Sequence, residues 1–160
     1  MQTGIPEEKP RHHEHTPTSQ VRPDPLPVLL VSHNDSDREQ LERALADTRW
    51  HVLHARTCEE AAGILASRRV PVIVRDETCC TSGCVHAIRC AATGPYPAPL
   101  IVVANAPDCR LWEDVIDCGG LEVLAKPFDP ATARKIIDFA YRHWLQGDFK
   151  RHWERFDYPD

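Results

Sequence analysis

The sequence has 160 residues and a mass of 18.1 kDa, a size typical of a single domain. Its formal net charge of −5 excludes a protein whose main task is to coat nucleic acid, because that task needs a basic surface. The longest early apolar run, Leu26 to Val31, is far shorter than the roughly 20 residues of a membrane helix. Residues 1–15 lack the apolar core of a secretory signal. We therefore expect a cytoplasmic protein without nucleic-acid or membrane partners.

Residues 1–26 are predicted to form a disordered leader. This segment is rich in proline, histidine and charged residues, so it cannot bury enough apolar surface to offset the entropy of ordering. A candidate weak metal-binding group within it consists of His12, His13 and His15. The alternative is that these histidines belong to a solvated polar tail. We expect one domain over residues 27–147 and a C-terminal tail over residues 148–160.

From residue 27 the sequence alternates between short apolar runs and helical patterns. The apolar runs predict five strands, over Val28–Val31, Trp50–His54, Val70–Val74, Leu100–Ala104 and Leu121–Ala125. Helices are predicted from the capping boxes Ser36–Glu39 and Thr57–Glu60, over 85–91, over 110–118, and after the N-cap Asp129. The glycine pair Gly119-Gly120 is a natural stop for the fourth of these helices.

This alternation predicts an α/β fold, a doubly wound five-stranded parallel sheet with helices on both faces. Ligands bind such sheets beyond the carboxyl ends of the strands. The residues at those ends are Ser32, His33, Asp76, Ala104, Asn105 and Lys126. An aspartate beside a lysine at this edge suits phosphoryl or anion chemistry. A partly exposed salt bridge between Asp76 and Lys126 is the alternative.

Residues 27–146 resemble a bacterial response-regulator receiver domain. The resemblance is carried by the runs Val28–Val31 and Val72–Asp76 and, above all, by Lys126-Pro127-Phe128-Asp129. It implies a flavodoxin-like strand order of 2-1-3-4-5, and it implies that Asp76 is the aspartate phosphorylated by a partner histidine kinase. Lys126 is then the phosphate-site lysine, and a cis peptide bond precedes Pro127. Glu77 is the alternative acceptor if the strand alignment is shifted.

The sequence departs from this family where the family binds Mg²⁺. The resemblance implies two acidic residues after the first strand, but Ser32 and His33 occupy these positions. Mg²⁺ prefers carboxylate oxygens, so we expect no resident cofactor and at most weak Mg²⁺ binding. Asp35 and Asp37 lie nearby, but their position at the start of a helix favours N-cap roles.

Two further departures concern residues that respond to phosphorylation in the family. Ala104 replaces the hydroxyl residue at the end of the fourth strand, and Val123 replaces the aromatic switch residue of the fifth. The sequence thus predicts a degenerate, pseudo-receiver site in which Asp76 does not take up phosphate efficiently. Without a bound cation, Asp76 is expected to pair directly with Lys126 or Arg75.

The chain contains seven cysteines, an odd number, and without a secretory signal we expect them to be reduced thiols. Four of them, Cys79, Cys80, Cys84 and Cys90, follow the third strand. Their spacing lacks the paired CxxC pattern of a typical zinc site. His86 is a further candidate ligand. Structural zinc and a redox-sensitive thiol remain alternatives to ordinary reduced cysteines.

Several large apolar residues are predicted on the last two helices, at Trp112, Ile137, Tyr141 and Trp144. Receiver domains usually pair through the face that these helices form with the fifth strand. An exposed apolar patch there favours a homodimer or a complex with a partner protein.

The function predicted from the sequence is a stand-alone receiver-like signalling protein that acts by protein–protein contacts in a two-component phosphorelay. It is not predicted to be an enzyme, since the GxGxxG, GxxxxGK[ST] and GxSxG motifs are absent from the sequence. The expected partner is a histidine kinase or another signalling protein. The alternatives are a phosphorylation-independent adaptor and a metal- or redox-responsive binding protein that uses the cysteine cluster.

Overall fold

The fold was obtained from a computed structural model, which describes residues 4, 23–79 and 98–147. The helix predicted over 85–91 and the tail over 148–160 lie outside the described residues, as does nearly all of the predicted leader. No helix of the described segments is long and apolar enough to cross a membrane.

The described residues form a five-stranded sheet. Its strands are β1 (Leu26–Val31), β2 (Trp50–Ala55), β3 (Val72–Asp76), β4 (Leu100–Ala104) and β5 (Glu122–Ala125). All neighbouring strands are parallel, and their order is β2-β1-β3-β4-β5. The predicted sheet and its strand order are therefore confirmed. The third strand begins at Val72 rather than Val70, because Pro71 has no N–H to donate and pairing with β1 starts at Val72.

The described residues also form four α-helices, of which three lie between strands and one follows β5. They are α1 (Asp35–Ala44), α2 (Cys58–Ser67), α3 (Cys109–Asp117) and α4 (Pro130–Gln146). Thr57 and Asp129 cap α2 and α4 as predicted, each accepting a hydrogen bond from the third residue beyond it. The capping box predicted at Ser36 is wrong. Asn34 is the N-cap of α1, and its side chain accepts a hydrogen bond from the Ser36 N–H.

The core lies on both faces of the sheet, because the side chains of the buried central strands alternate between the faces. Val28 and Leu30 of β1 pack with α1 and α4, whereas Leu29 and Val31 pack with α2 and α3. All four of these β1 residues are buried. The sheet is therefore covered by helices on each side.

The strand register brings the carboxyl ends of four strands to one edge. Val31 pairs with Arg75, Asp76 with Val103, and Ala104 with Ala125. The residues at and just beyond these ends therefore meet at one place in the fold.

The four residues predicted to form a pairing face do not all reach the surface. Ile137 is buried between α4 and the sheet. The Tyr141 and Trp144 rings stack at 5.9 Å, and the guanidinium groups of Arg49 and Arg69 cover them. Only Trp112, which is 46% exposed, is a largely open side chain among the four.

Replacing Gly120 with alanine is expected to lower the free energy of unfolding by about 1–3 kcal/mol. A Cβ atom there would lie 2.5 Å from Val115 Cγ1 and 2.9 Å from the Val115 backbone oxygen, so the end of α3 must shift. Gly63→Ala in α2 is the matched control. Open space surrounds Gly63, and alanine favours a helix over glycine by about 0.5–1 kcal/mol. Urea denaturation measures both changes, and a Gly120→Ala protein as stable as wild type contradicts this packing.

Candidate functional site

Asp76 is the last residue of β3 and is only 4% exposed. The chain then makes a single 3-10 turn over Glu77–Cys79, which folds Thr78 back over the strand end. The backbone N–H of Thr78 donates to Asp76 Oδ1 at 2.9 Å, and the Thr78 hydroxyl donates to the same oxygen. This local turn fixes one side of the carboxylate.

Lys126 follows β5, and its backbone N–H donates to the Ala104 oxygen at 2.8 Å. The Lys126–Pro127 peptide bond is cis, as the resemblance implied, and the next residue, Phe128, is buried in the core. The chain is thus anchored on both sides of the Lys126 side chain, which is only 9% exposed. Its ammonium donates to Asp76 Oδ2, so the structure brings these two strand-end residues together.

Asp37 is the residue of this site that the sequence prediction missed. It lies in the first turn of α1, is 2% exposed, and accepts hydrogen bonds from Lys126 Nζ at 3.1 and 3.3 Å. The Ser32 hydroxyl donates to Asp37 Oδ2 at 2.6 Å. The N-cap role predicted for Asp37 is wrong, because Asn34 caps the helix and Asp37 is the third residue within it.

A pattern in the sequence could have identified Asp37. It shares a helical stripe with Leu41 and Ala44, at spacings of four and seven residues, and all three are buried. Residues at these spacings face the same side of a helix. A carboxylate at the start of a core-facing stripe must have a partner, because a buried charge without one is very costly.

The other aspartate of this turn, Asp35, lies outside the site and is not an N-cap either. Its carboxylate accepts two hydrogen bonds from Arg56 Nη2, at 2.6 and 2.7 Å, in an exposed ion pair. Arg56 also donates to the His33 backbone oxygen at 3.3 Å. This pair joins the loops that follow β1 and β2.

The remaining predicted positions differ in how far they are buried and in the chemical groups that they carry. His33 is exposed, whereas Ser32 and Ala104 are buried at the strand ends. Ala104 presents a methyl group where the resemblance implies a hydroxyl. Val123 is half-buried and packs with the face of the sheet that carries α2 and α3. Arg75 is buried next to Asp76 in β3.

Burial and hydrogen bonding act in opposite directions on the two linked groups. Burial by itself raises the pKa of Asp76, but donation from Lys126 and Thr78 outweighs it and holds that pKa below the ordinary value of 3.8. Burial by itself lowers the pKa of Lys126, but hydrogen bonds to Asp76 and Asp37 raise it above 10.5. The hydrogen bonds outweigh burial in both groups, and the net shifts favour the charged forms at neutral pH.

The donor set does not fit the Mg²⁺ ion that the receiver resemblance implies. Mg²⁺ requires near-octahedral coordination by oxygens that are free to bind it. Each carboxylate oxygen of Asp37 and Asp76 already accepts a hydrogen bond from Lys126, Thr78 or Ser32. Within residues 23–79 and 98–147, no group of three or more His, Cys, Asp or Glu side chains is placed to hold a metal ion.

The described cysteines include both a disulfide-bonded residue and free thiols. Cys58, at the first position of α2, is disulfide-bonded, so the expectation of reduced thiols fails there. Cys79 is a free, buried thiol that contacts the Arg56 backbone oxygen at 3.5 Å, and burial raises its pKa. The rest of the predicted cluster, Cys80, Cys84 and Cys90 together with His86, lies outside the described residues. Its metal or redox role stays a prediction.

Replacing Asp37 with asparagine is expected to lower the free energy of unfolding by about 1–3 kcal/mol, because a buried ammonium loses a charged partner. Asp35→Asn is the matched control, since it removes the same charge from the same helical turn but at an exposed ion pair. Its effect is expected to be much smaller. Denaturant unfolding of both variants measures the difference, and equal losses would place Asp37 outside the site.

The Asp76 carboxylate is expected to stabilise the fold in a pH-dependent way. Because its folded-state pKa lies below 3.8, its contribution is present above that pH and is lost as the pH falls through the folded-state value. The difference in unfolding free energy between wild type and Asp76→Asn should therefore be constant from about pH 5 to about pH 8 and shrink in stronger acid. A difference that grows as the pH falls below 3.8 would contradict the described pairing.

Comparison with known proteins finds solved structures of similar fold. No protein-family model matches this chain, and no curated protein matches it in sequence. Among solved structures, a response regulator from Thermotoga maritima gives a TM-score of 0.67 at 17% identity, covering 74% of this chain and 98% of that one. The receiver domain of a sensor histidine kinase from Pseudomonas aeruginosa PAO1, with a magnesium ion in its active site cleft, gives 0.64 at 20% identity over 74% and 98%.

A third solved structure extends the same similarity. The dimer of the beryllofluoride-activated NtrC4 receiver domain gives a TM-score of 0.66 at 24% identity, covering 74% of this chain and 98% of that one. Nearly the whole of each of these domains is thus matched by about three quarters of this chain. The chain has the fold of response-regulator receiver domains, which it also resembles in its Lys126-Pro127-Phe128 segment.

Proposed function

We propose that this chain is a receiver-like signalling domain of a two-component system. In this proposal it acts through protein–protein contacts, and Asp76 does not readily accept a phosphoryl group. The receiver fold and the pairing of Asp76 with Lys126 support the signalling class. Two departures support the loss of phosphorylation: Ser32 and His33 stand at the acidic positions, and Ala104 stands at the hydroxyl position. The stand-alone arrangement stays a prediction.

The engagement of the Asp76 carboxylate is the observation that carries this function. Oδ2 accepts a hydrogen bond from Lys126, while Oδ1 accepts two from Thr78. A carboxylate attacks phosphorus through an oxygen lone pair, so both sets of hydrogen bonds reduce its ability to act as a nucleophile. Asp76 is therefore held as a structural anion in the described state.

The groups around Asp76 offer few cations or hydrogen-bond donors that could stabilise a phosphoryl group during its transfer. Catalysis of this transfer depends on cations and donors that neutralise the charge spreading over the phosphoryl oxygens. The Lys126 ammonium is shared between two carboxylates, and the Ser32 hydroxyl is committed to Asp37. The methyl group of Ala104 has nothing to donate.

Protein contacts are then the means by which the domain would signal. We propose a histidine kinase or another signalling protein as the partner, and a second copy of the chain as a further candidate. Large exposed apolar side chains on α3 and α4 are Trp112, Phe139 and Leu145. The NtrC4 neighbour is a dimer. A phosphorylation-independent adaptor would use the same surfaces without a kinase.

Incubation with acetyl phosphate and millimolar Mg²⁺, followed by intact-mass measurement, tests this function. Phosphorylation is expected to be slower than in a receiver domain with an intact acidic pair by at least about 100-fold. Asp76→Asn is the control for site-specific labelling. A phosphoryl adduct that forms within minutes on the wild type and is absent from Asp76→Asn would restore an ordinary phosphorelay role.

A further inference from the structure

Lys126 lies between two buried carboxylates that come from different parts of the chain. Its ammonium donates to Asp76 at the end of β3 and to Asp37 in the first turn of α1. The three side chains are each less than one tenth exposed. One positive charge thus neutralises part of two negative charges in a region that water barely reaches.

Two buried carboxylates at one site require a cation, because each charge alone would carry a large desolvation cost. A divalent metal ion and a lysine ammonium are alternative ways of meeting this requirement. The metal binds carboxylate oxygens directly, whereas the ammonium donates hydrogen bonds to them. In this chain the oxygens of Asp37 and Asp76 are engaged by donors, including the Ser32 hydroxyl on Asp37 Oδ2.

We infer that the Lys126 ammonium takes the place of a divalent cation at this site, with Asp37 as its second anchor. The site is thereby complete without metal, and Mg²⁺ does not bind between the two carboxylates in the wild-type protein. This inference rests on the proposed function only for its meaning in signalling, because it is drawn from the contacts of Lys126 with the two carboxylates.

Asp37 is the positioning residue in this arrangement. In the receiver resemblance the acidic residues directly follow the first strand, where this chain has Ser32 and His33. The second carboxylate comes instead from α1, and the Ser32 hydroxyl holds it at 2.6 Å. The Asn34 N–H donates in turn to the Ser32 hydroxyl oxygen at 3.1 Å. This chain of contacts keeps Asp37 directed at Lys126 rather than at solvent.

Mn²⁺ is a suitable probe because it accepts the same oxygen ligands as Mg²⁺ and its free ion gives a strong electron paramagnetic resonance signal. At each Mn²⁺ concentration up to the millimolar range, the free-ion signal in the presence of wild-type protein is expected to equal that of buffer alone. The melting temperature of the protein should not rise. Wild-type binding that disappears in Asp37→Asn would overturn the inference, because the two carboxylates would then hold a metal ion in the presence of Lys126.

Lys126→Met provides the complementary test. It removes the ammonium and leaves the two carboxylates without their shared cation, so Mn²⁺ is expected to bind at least about tenfold more tightly than to wild type. Because Mn²⁺ would bind the folded state of this variant and not the unfolded state, added Mn²⁺ should also raise its melting temperature. Adding Asp37→Asn to this variant should abolish the gain. Arg56→Met is the matched control, since it removes an exposed cation that pairs with Asp35.

Lys126→Gln keeps the inference testable if the methionine variant does not fold, because the amide still donates a hydrogen bond but carries no charge. A folded neutral variant that binds no more Mn²⁺ than wild type would overturn the inference.

The phosphorylation assay and the Mn²⁺ titration distinguish a failure of the proposed function from a failure of the cation inference. Rapid phosphorylation of the wild type that persists in EDTA would contradict the proposed function alone. Mn²⁺ binding to the wild type without phosphorylation would contradict the cation inference alone.

Discussion

The hydrogen-bonded ion pairs of Lys126 with Asp37 and Asp76 are the interaction on which the polar edge of this protein depends. Each partner comes from a separate element: the loop after β5, the first turn of α1 and the end of β3. The register of the sheet brings these elements to one edge. The ammonium is what allows two aspartates to remain buried and charged at the same edge.

This arrangement constrains movement as well as charge. The Lys126 side chain joins the loop after β5 to the end of β3 and to the start of α1. It cannot move away without leaving a buried carboxylate unpaired, and that loss is costly. Thr78 adds a second restraint by donating twice to Asp76. Signalling through displacement of Lys126 would therefore require an incoming group that supplies comparable neutralisation. In the proposed signalling role, contacts on the surfaces of the helices would require no such displacement.

The sequence predicted the sheet well because long apolar runs and their spacing report burial on both faces of parallel strands. It also placed Asp76 and Lys126 at one edge, since Asp76 lies at the end of one strand and Lys126 directly follows another. It did not predict Asp37, because an aspartate near a helix start usually caps the helix, and only its alignment with Leu41 and Ala44 indicates burial. The disulfide at Cys58 was missed because cysteine pairing depends on distances that local sequence does not contain.

A buried triad of this kind is not by itself a strong source of stability, because desolvating three charged groups offsets much of their mutual attraction. What it provides is a defined geometry. The hydrogen bonds of Lys126 join the loop after β5 to the end of β3 and to the first turn of α1, and an apolar replacement of the same volume would not make these bonds. Lys126, which in the receiver resemblance faces a phosphoryl group, here donates hydrogen bonds to two buried carboxylates and partly neutralises both.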